Sequence, residues 1–283
     1  MMLLMGAVAY DPKVVTIWLG FREWLLARGL PFDFVLYSNY ERQVEDLVDG
    51  RIHAAWNSPL AWIRAQRLAA ARGLQVRSAV MRDTDQDLTS VVVVRADGPF
   101  ATVGDLEGGT VAVGAVDSPQ ATLIPLSHLR GAGLRPGQEI TVRRFDVGVG
   151  LHGDHIGGER HAARALMAGD VVATCMIDGN HLLFGREGLL PAGGTRVLAQ
   201  TARYDHCNMT VVDTAPQDLV DRFVELVLSM SYADPEVRPL LDLEGLTAWR
   251  DGRDSGYAAL ESAVEETGFY DREGRITAQE YTP

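Results

Sequence analysis

Histidine and cysteine side chains are concentrated in the second half of the chain. Imidazole and thiol groups are common zinc ligands, and a thiol beside an imidazole is also a common nucleophile and base pair. This grouping therefore permits a structural, a metal-binding or a catalytic interpretation. The residues concerned are His152, His155, His161, Cys175, His181, His206 and Cys207.

The catalytic interpretation centres on Cys207. A thiol becomes a good nucleophile when a base or a cation beside it lowers its pKa. His206 is its neighbour in the sequence, but consecutive residues of a strand point to opposite faces of the sheet. We therefore expect a base from elsewhere in the chain, either His155 or His181. Cys175, at the carboxyl end of another predicted strand, is the alternative thiol.

The other two interpretations stay open on the sequence alone. A mononuclear metal site would combine histidines with Asp or Cys ligands, but the chain contains no compact ligand motif. No metal is therefore assigned, and the cofactor is unknown. In the structural interpretation Cys175 is a small buried side chain, because free cysteine is often buried. His161 then lies on a solvated helix face, and His152 and His155 are polar loop residues.

Composition limits the classes of partner. The chain has 283 residues and a net charge of -12, which argues against nucleic acid because its binding needs a basic surface. No apolar run reaches the roughly 18 residues of a membrane span. Residues 1–9 are apolar but lack the basic start and cleavage site of an export signal. We therefore expect a cytoplasmic protein that binds a small molecule, with an unknown oligomeric state.

Strands and helices alternate along the sequence, which predicts an α/β fold with mainly parallel sheets. The pattern restarts after residue 95 and closes with helices. It therefore predicts two lobes, residues 1–90 plus 205–283 and residues 91–204, with a ligand cleft between them. Strands are predicted at 3–9, 34–37, 52–56, 75–82, 89–95, 110–115, 140–145, 171–177, 196–201 and 209–212. Helices are predicted at 14–28, 41–48, 59–71, 102–106, 119–131, 158–168, 216–230, 234–241 and 255–267.

The segment from Val111 to Pro125 has the pattern of a buried strand, a short loop and a helix. Ser118, Gln120 and Thr122 fall in the first turn of that helix. The N–H groups at a helix start attract an anion or a carbonyl oxygen, so the segment is a candidate binding site. Pro119 has no N–H and removes one of the donors that such a site would use.

Several segments together resemble the phosphate/phosphite/phosphonate substrate-binding proteins of ABC transporters, which have the type II periplasmic-binding-protein fold. Residues 49–62 resemble the family element G-x-x-D-x-A-x-x-G-P-x-x-Y, and residues 117–125 resemble its loop D-x-x-S-T-S-G-x-x-x-P. Residues 103–108 and 166–173 resemble two further segments. Their order and spacing are specific and cover most of the chain. At 118–121 this chain has Ser-Pro-Gln-Ala in place of the family's Ser-Thr-Ser-Gly.

The resemblance implies a two-lobe clamp that closes on its ligand by a hinge motion. Carried over residue by residue, it implies ligand contacts from both lobes and the connection between them. Thr122 can replace a lost hydroxyl, His152 lies in a glycine-rich loop that can wrap a ligand, and Asp178 follows a strand end facing the cleft. The complete set of expected contacts is Tyr10, Asn57, Ser58, Thr89, Ser90, Ser118, Gln120, Thr122, His152 and Asp178.

The sequence therefore predicts a cytoplasmic protein, similar to solute-binding proteins, that binds a small polar or anionic metabolite between its lobes. One alternative is an enzyme on the same scaffold, as in proteins resembling those of menaquinone or pyrimidine synthesis. It would use Cys207 or Cys175 with the cleft histidines, and its tentative catalytic set is Cys207, His155 and His206. The other alternative is a phosphonate- or phosphate-type transport receptor whose export signal has been removed. Whether the chain is an enzyme is left undecided.

Overall fold

Two five-stranded sheets organise the chain in a computed structural model that describes residues 1–283. The strands are β1 (Leu3–Val8), β2 (Phe32–Tyr37), β3 (Ala54–Asn57), β4 (Val76–Ser78), β5 (Val80–Arg82), β6 (Ser90–Arg95), β7 (Thr110–Val113), β8 (Thr141–Arg144), β9 (Ala173–Ile177), β10 (Thr195–Gln200), β11 (Asn208–Val212) and β12 (Trp249–Asp251). The helices are α1 (Lys13–Ala27), α2 (Tyr40–Val48), α3 (Pro59–Ala71), α4 (Ile124–Gly131), α5 (Gly157–Ala168), α6 (Asp178–Arg186), α7 (Gln217–Leu228), α8 (Arg238–Glu244) and α9 (Ala258–Thr267).

The sheet of the first lobe has the strand order β2-β1-β3-β11-β4. β1 is parallel to β2 and β3, whereas β11 is antiparallel to β3 and β4. α1 covers this sheet because Ile17, Phe21, Trp24 and Leu25 share one buried helical face. The parallel strands β1 and β3 end at the same edge of the sheet, so the polar residues that follow them lie together.

The sheet of the second lobe has the strand order β10-β6-β9-β7-β8. β7 is parallel to β8 and β9, and β6 is antiparallel to β9 and β10. The valine run of β6 is buried on both faces, because Val91 and Val93 enter one core cluster while Val92 and Val94 enter the other. A strand covered on both sides needs apolar residues at every position, which explains this unbroken run.

Two segments, 83–89 and 201–207, connect the sheets. They meet at Leu88 and Tyr204, whose backbones exchange hydrogen bonds of 2.8 and 2.9 Å. The Arg253 side chain holds both segments, because it donates to Asp205 at 2.6 Å and to Asp87 at 2.9 Å. The two crossings therefore form one clamped hinge.

The C-terminal region also links the two lobes, through packed side chains and not through a sheet. One apolar cluster combines residues of α3, α4, α9 and the tail, including Trp62, Leu123, Leu260 and Tyr281. This cluster buries apolar surface of both lobes, so it favours the closed arrangement.

Most predicted elements are present, but the strand predicted at 75–82 is two strands, β4 and β5, in different sheets, and the helix predicted at 234–241 begins only at Arg238. Each sheet carries antiparallel strands beside its parallel core, and the helix predicted at 119–131 begins with a π-helical stretch at Pro119–Leu123. α6 and β12 were not predicted, because α6 contains two glycines and β12 has only three residues. The Ser58 cap of α3 was predicted and is present, with its hydroxyl accepting from Ala61 N. None of the helices has the length and apolar character needed to cross a membrane.

Candidate functional site

The glycine-rich loop at 146–156 belongs to the second lobe and contacts the first. The Tyr40 backbone N–H donates to Gly150 O at 3.1 Å, and the Tyr40 hydroxyl donates to the Asp154 carboxylate. Asp117 fixes the loop from its own lobe by accepting from Gly150 N at 2.7 Å and His152 N at 3.1 Å. These contacts hold the lobes together in a closed arrangement.

His152 is the buried centre of this contact between the lobes. Its side chain is 0% exposed and stacks on Tyr40 with ring centroids 4.8 Å apart. Nδ1 lies 2.7 Å from Ser58 Oγ, and Nε2 lies 3.1 Å from Glu41 Oε1. The backbone of His152 is left-handed, with φ of 48°, which is uncommon outside glycine. Both predicted ligand contacts, His152 and Ser58, are therefore bound to each other across the lobes.

Glu41 accepts hydrogen bonds from His152 and from two tyrosines of the C-terminal region. The hydroxyls of Tyr270 and Tyr281 each donate to Glu41 Oε1 at 2.7 Å, and Arg64 Nη1 lies 2.9 Å from Oε2. Burial alone would raise the pKa of Glu41, but the hydrogen bonds and the charges of His152 and Arg64 outweigh it and lower the pKa to about 2. An ionised carboxylate at this position is therefore part of the closed structure.

The predicted anion site at the start of the π-helical stretch is filled by the protein itself. Ser118 Oγ caps a backbone N–H three residues further on, and Thr122 Oγ1 donates to Ala115 O at 2.8 Å. Gln120 Nε2 donates to Gly153 O at 2.8 Å. A Cβ added to Gly153 would collide with Ser118 Oγ, so the loop covers this helix start closely.

Asn57, Thr89 and Ser90 take part in internal hydrogen bonds as well. Asn57 accepts from a glutamine amide and donates to Thr210 Oγ1, both at 2.9 Å. Thr89 Oγ1 donates to Asp178 Oδ2 at 2.8 Å, and Ser90 Oγ donates to the Gln120 carbonyl at 2.5 Å. Thr89 and Ser90 thus tie the hinge to the second lobe, and the whole predicted set stays a prediction for ligand contact.

His206 lies between the lobes with one ring nitrogen free. It is 8% exposed, and Nε2 is buried without a hydrogen-bond partner. Nδ1 lies 3.1 Å from Cys207 Sγ. The expectation that His206 cannot reach its neighbour is wrong, because β11 begins only at Asn208 and residue alternation does not apply before it.

The proposed catalytic roles of the thiols find no support in their surroundings. Burial, with the nearby Asp154 carboxylate, raises the pKa of Cys207 well above its usual value. Burial also raises the pKa of Cys175, to about 12. His155 is exposed and its Nδ1 accepts from a backbone N–H two residues on, so the suggested pairing with Cys207 is not formed. Neither thiol has the lowered pKa of a nucleophile.

Carboxyl groups outnumber cations in the first-lobe half of the cleft. Arg82 Nε and Nη2 donate to Asp85 at 2.6 and 2.8 Å, and Nη1 donates to the Glu244 carbonyl and carboxylate at 3.1 and 3.3 Å. Burial raises the pKa of Glu244 to about 7 despite Arg82, and burial also raises the pKa of Asp154. Tyr10, a predicted contact, lies close to this group. Burial and the charges of Asp154 and Glu244 raise the pKa of Tyr10.

Glu159 provides a further buried carboxyl from the second lobe. It lies in the first turn of α5, where its Oε2 accepts from Asn180 Nδ2 at 2.7 Å and Ile177 N at 3.2 Å. Burial raises the pKa of Glu159 to about 7, although hydrogen bonds from Asn180, Ile177 N and the Gln120 side chain oppose the shift. Oε1 of Glu159 and Oε1 of Gln120 have no partner.

These features define a class of protein. Two α/β lobes, a double hinge and a buried polar cleft that closes by interlobe contacts are those of a type II solute-binding protein.

The family model described as "ABC transporter, phosphonate, periplasmic substrate-binding protein" matches residues 7–257. The chain belongs to this family, which confirms the resemblance found in the sequence. No curated protein sequence matches the chain.

Solved structures confirm the two-lobe fold. PhnD1 from Prochlorococcus marinus, in complex with methylphosphonate, is similar with a TM-score of 0.69 at 13% identity, covering 94% of this chain and 98% of that chain. XAC2383 from Xanthomonas citri, bound to chloride, gives 0.72 at 17% identity over 94% and 98%. The aliphatic sulphonate binding protein SsuA from Escherichia coli gives 0.57 at 19% identity, covering 97% of each chain. At these identities the likeness establishes the fold alone.

Sequence reasoning missed several of the buried polar residues described above. Glu159 was visible only as an acid at a helix start, where favourable interaction with the helix dipole already explains it. Tyr40, Arg82, Asp154 and Glu244 carry no motif, and their grouping depends on segments far apart in the chain. The signal that could have found Asp154 was its position two residues after His152 in the glycine-rich loop.

Proposed function

We propose that this protein is a solute receptor whose cleft recognises a small polar solute through a protonated amine. The main support for this proposal is that two buried acceptors of the second lobe, Glu159 Oε1 and Gln120 Oε1, have no hydrogen-bond partner. Leaving a buried acceptor unpaired costs about 1–3 kcal/mol. An ammonium group can donate three hydrogen bonds and also balance the Glu159 charge.

The charge balance of the closed cleft supports a cationic group over an anionic one. Four buried or half-buried carboxyls share the cleft with Arg82, whose donors are already engaged by two of them. The helix start that would bind an anion is covered by Gly153. Within the predicted range of polar or anionic metabolites, these contacts favour a polar amine. The four carboxyls are those of Asp85, Asp154, Glu159 and Glu244.

Two finer predictions from the sequence stay predictions. The fold does not bear on the predicted cytoplasmic location. The enzyme alternative would need an activated thiol, and burial raises the pKa of both cysteines.

The test compares two ligands that differ by one amine. We expect aminomethylphosphonate to bind at least about tenfold more tightly than methylphosphonate in isothermal titration, because a charged hydrogen bond contributes about 1.5–3 kcal/mol. Glu159→Gln is expected to abolish this difference while leaving the fold intact. Native mass spectrometry of freshly purified protein would identify a co-purified solute.

A matched variant separates this effect from a general change of charge. Glu261 lies in the first turn of α9, as Glu159 does in α5, but it is exposed. Glu261→Gln should leave the preference for the amine unchanged. Equal or tighter binding of methylphosphonate by the unaltered protein would refute the amine proposal.

Solute affinity should also depend on pH. The ionised form of Glu159 binds a cation, so with a pKa of about 7 the affinity for an amine solute should rise as pH increases from about 6 to 8. Stability should change in the opposite direction. The raised pKa of Glu159 favours the folded state below the ordinary value of 4.5, and that contribution, up to about 3 kcal/mol, is lost as pH rises to 7. Titrations and urea unfolding between pH 4.5 and 8 measure both. Glu159→Gln should flatten the affinity profile and reduce, without abolishing, the slope of the stability profile, because Glu244 also has a pKa of about 7.

A further inference from the structure

Three side chains that can ligate a metal meet at the entrance to β11. Asp85, His206 and Cys207 are all buried, and their ligand atoms lie within 4.8 Å of one another. His206 Nδ1 lies 3.1 Å from Cys207 Sγ and 3.6 Å from Asp85 Oδ1. None of these three side chains is among the acceptors assigned to the solute.

Two of the three separations are close to those of tetrahedral coordination. Metal–sulfur bonds of about 2.3 Å and metal–nitrogen or metal–oxygen bonds of about 2.0–2.2 Å give tetrahedron edges of about 3.3–3.6 Å. The separations of 3.1 and 3.6 Å differ from these edges by up to about 0.5 Å, and the third, between Cys207 Sγ and the Asp85 carboxylate, lies within 4.8 Å. Side-chain movements of about 1 Å would therefore admit an ion.

We propose that Asp85, His206 and Cys207 bind one borderline-soft divalent ion of the Zn²⁺ type. A thiolate and an imidazole select such ions over Mg²⁺ and Ca²⁺, which prefer oxygen ligands. Binding replaces the thiol proton of Cys207, which passes to solvent. With three protein ligands, a fourth position stays open, as in zinc sites that also bind water or a small molecule.

The free nitrogen of His206 is consistent with this assignment. When Nδ1 binds a metal, Nε2 carries the ring proton and becomes a donor. Nε2 is buried without a partner, and both Asp154 and Glu159 lie within electrostatic range of the ring. Metal-bound histidines commonly donate their second N–H to a carboxylate, a role that Asp154 can take without competing with the solute for Glu159.

Arg82 does not prevent Asp85 from binding the ion. Asp85 Oδ1 accepts from Arg82 at 2.8 Å and from Cys207 N at 3.2 Å. A metal would displace the longer of these two bonds, while Arg82 continues to orient the carboxylate as an outer-shell partner. The positive charge of Arg82 is shared with Glu244, which lies 3.3 Å away.

Cobalt(II) titration of chelator-treated protein tests the site, because a cobalt–thiolate bond gives a near-ultraviolet charge-transfer band. Cys175 is the only other cysteine and is also fully buried, so Cys175→Ser is the matched control. We expect the unaltered chain and Cys175→Ser to bind one Co²⁺ with this band, and Zn²⁺ to displace it. Cys207→Ser should lose the band and bind Co²⁺ at least about 100-fold more weakly.

Two results would overturn the proposal. One is the absence of the band in the unaltered chain, and the other is a band that survives Cys207→Ser but disappears in Cys175→Ser. If Cys207→Ser does not fold, His206→Gln replaces it, since that variant keeps the thiol and should bind Co²⁺ at least about tenfold more weakly. Unchanged affinity in His206→Gln would also overturn the site. The titration contains no solute, so its outcome is independent of the amine proposal.

Discussion

Glu41→Gln is expected to lower the free energy of unfolding by about 3–5 kcal/mol, because it removes the buried partner of Arg64 and leaves only the half-exposed Glu45 to compensate its charge. The new amide has one acceptor oxygen where the carboxylate has two, so it cannot accept from both the tyrosine hydroxyls and the buried Arg64 guanidinium, which lies 2.9 Å from the carboxylate. The hydrogen bond from His152 of the second lobe would weaken at the same time. The change therefore affects both the first-lobe core and the contact between the lobes.

Glu45→Gln is the matched control, because Glu45 pairs with the same arginine at 3.0 Å but is 38% exposed, against 4% for Glu41. Its expected cost is below about 1 kcal/mol. Urea unfolding measures both variants. Small-angle X-ray scattering should show Glu41→Gln with a larger radius of gyration, since the lobes lose a contact. Equal costs for the two variants would show that burial of Glu41 is not what makes the pair important.

The Glu41 contribution also has a defined pH range. Its pKa is lowered from 4.5 to about 2, so the stabilisation is fully present above pH 4.5 and is lost as pH falls towards 2. The shift corresponds to about 3 kcal/mol. Glu159 acts in the opposite direction above pH 4.5. For these two groups together, stability should therefore be greatest in mildly acidic solution.

Gly153→Ala is expected to cost about 3 kcal/mol or more and to weaken solute binding at least about tenfold. A β-carbon at this position would collide with Ser118 Oγ and lie 2.6 Å from Gln120 Nε2, and φ is 79°, where side chains are strained. The loop must then move away from the helix start. Movement would displace His152 and Asp154, which make the interlobe contacts.

Gly137→Ala separates strain from collision. Gly137 has φ of 77°, but a β-carbon there meets nothing within 4 Å. Its expected cost is the left-handed backbone penalty alone, about 1–2 kcal/mol. Urea unfolding of both variants, with solute titration of each, gives the difference. If the two alanines cost the same and bind equally, the close fit of Gly153 against the helix start has no role in closure.

The sequence predicted the fold well because its signals are local. Alternating apolar strands and amphipathic helices give the α/β class, and the Ser58-Pro59 pair fixes the start of α3 through its own cap. The order of short motifs indicated the family. Antiparallel pairing of β6 and β11 was not predicted, since strand direction depends on where the chain returns after leaving the other lobe.

The α/β fold and its division into two lobes could be predicted from the sequence alone. The departure at 118–121, in which Pro119 and Gln120 replace hydroxyl-bearing residues of the family, was also plain from the residues alone. The effect of Pro119 could be predicted without knowing its neighbours, because proline lacks a backbone N–H in any fold.

The ionisation and hydrogen bonding of the residues between the lobes could not be predicted without the folded structure. Ionisation and hydrogen bonding depend on burial and on partners brought from distant segments. Glu41 and Glu45 are both glutamates of α2, yet one is buried against His152 and two tyrosines while the other is exposed. The same dependence makes Glu159 a buried, unsatisfied acceptor and places Asp85 beside His206 and Cys207.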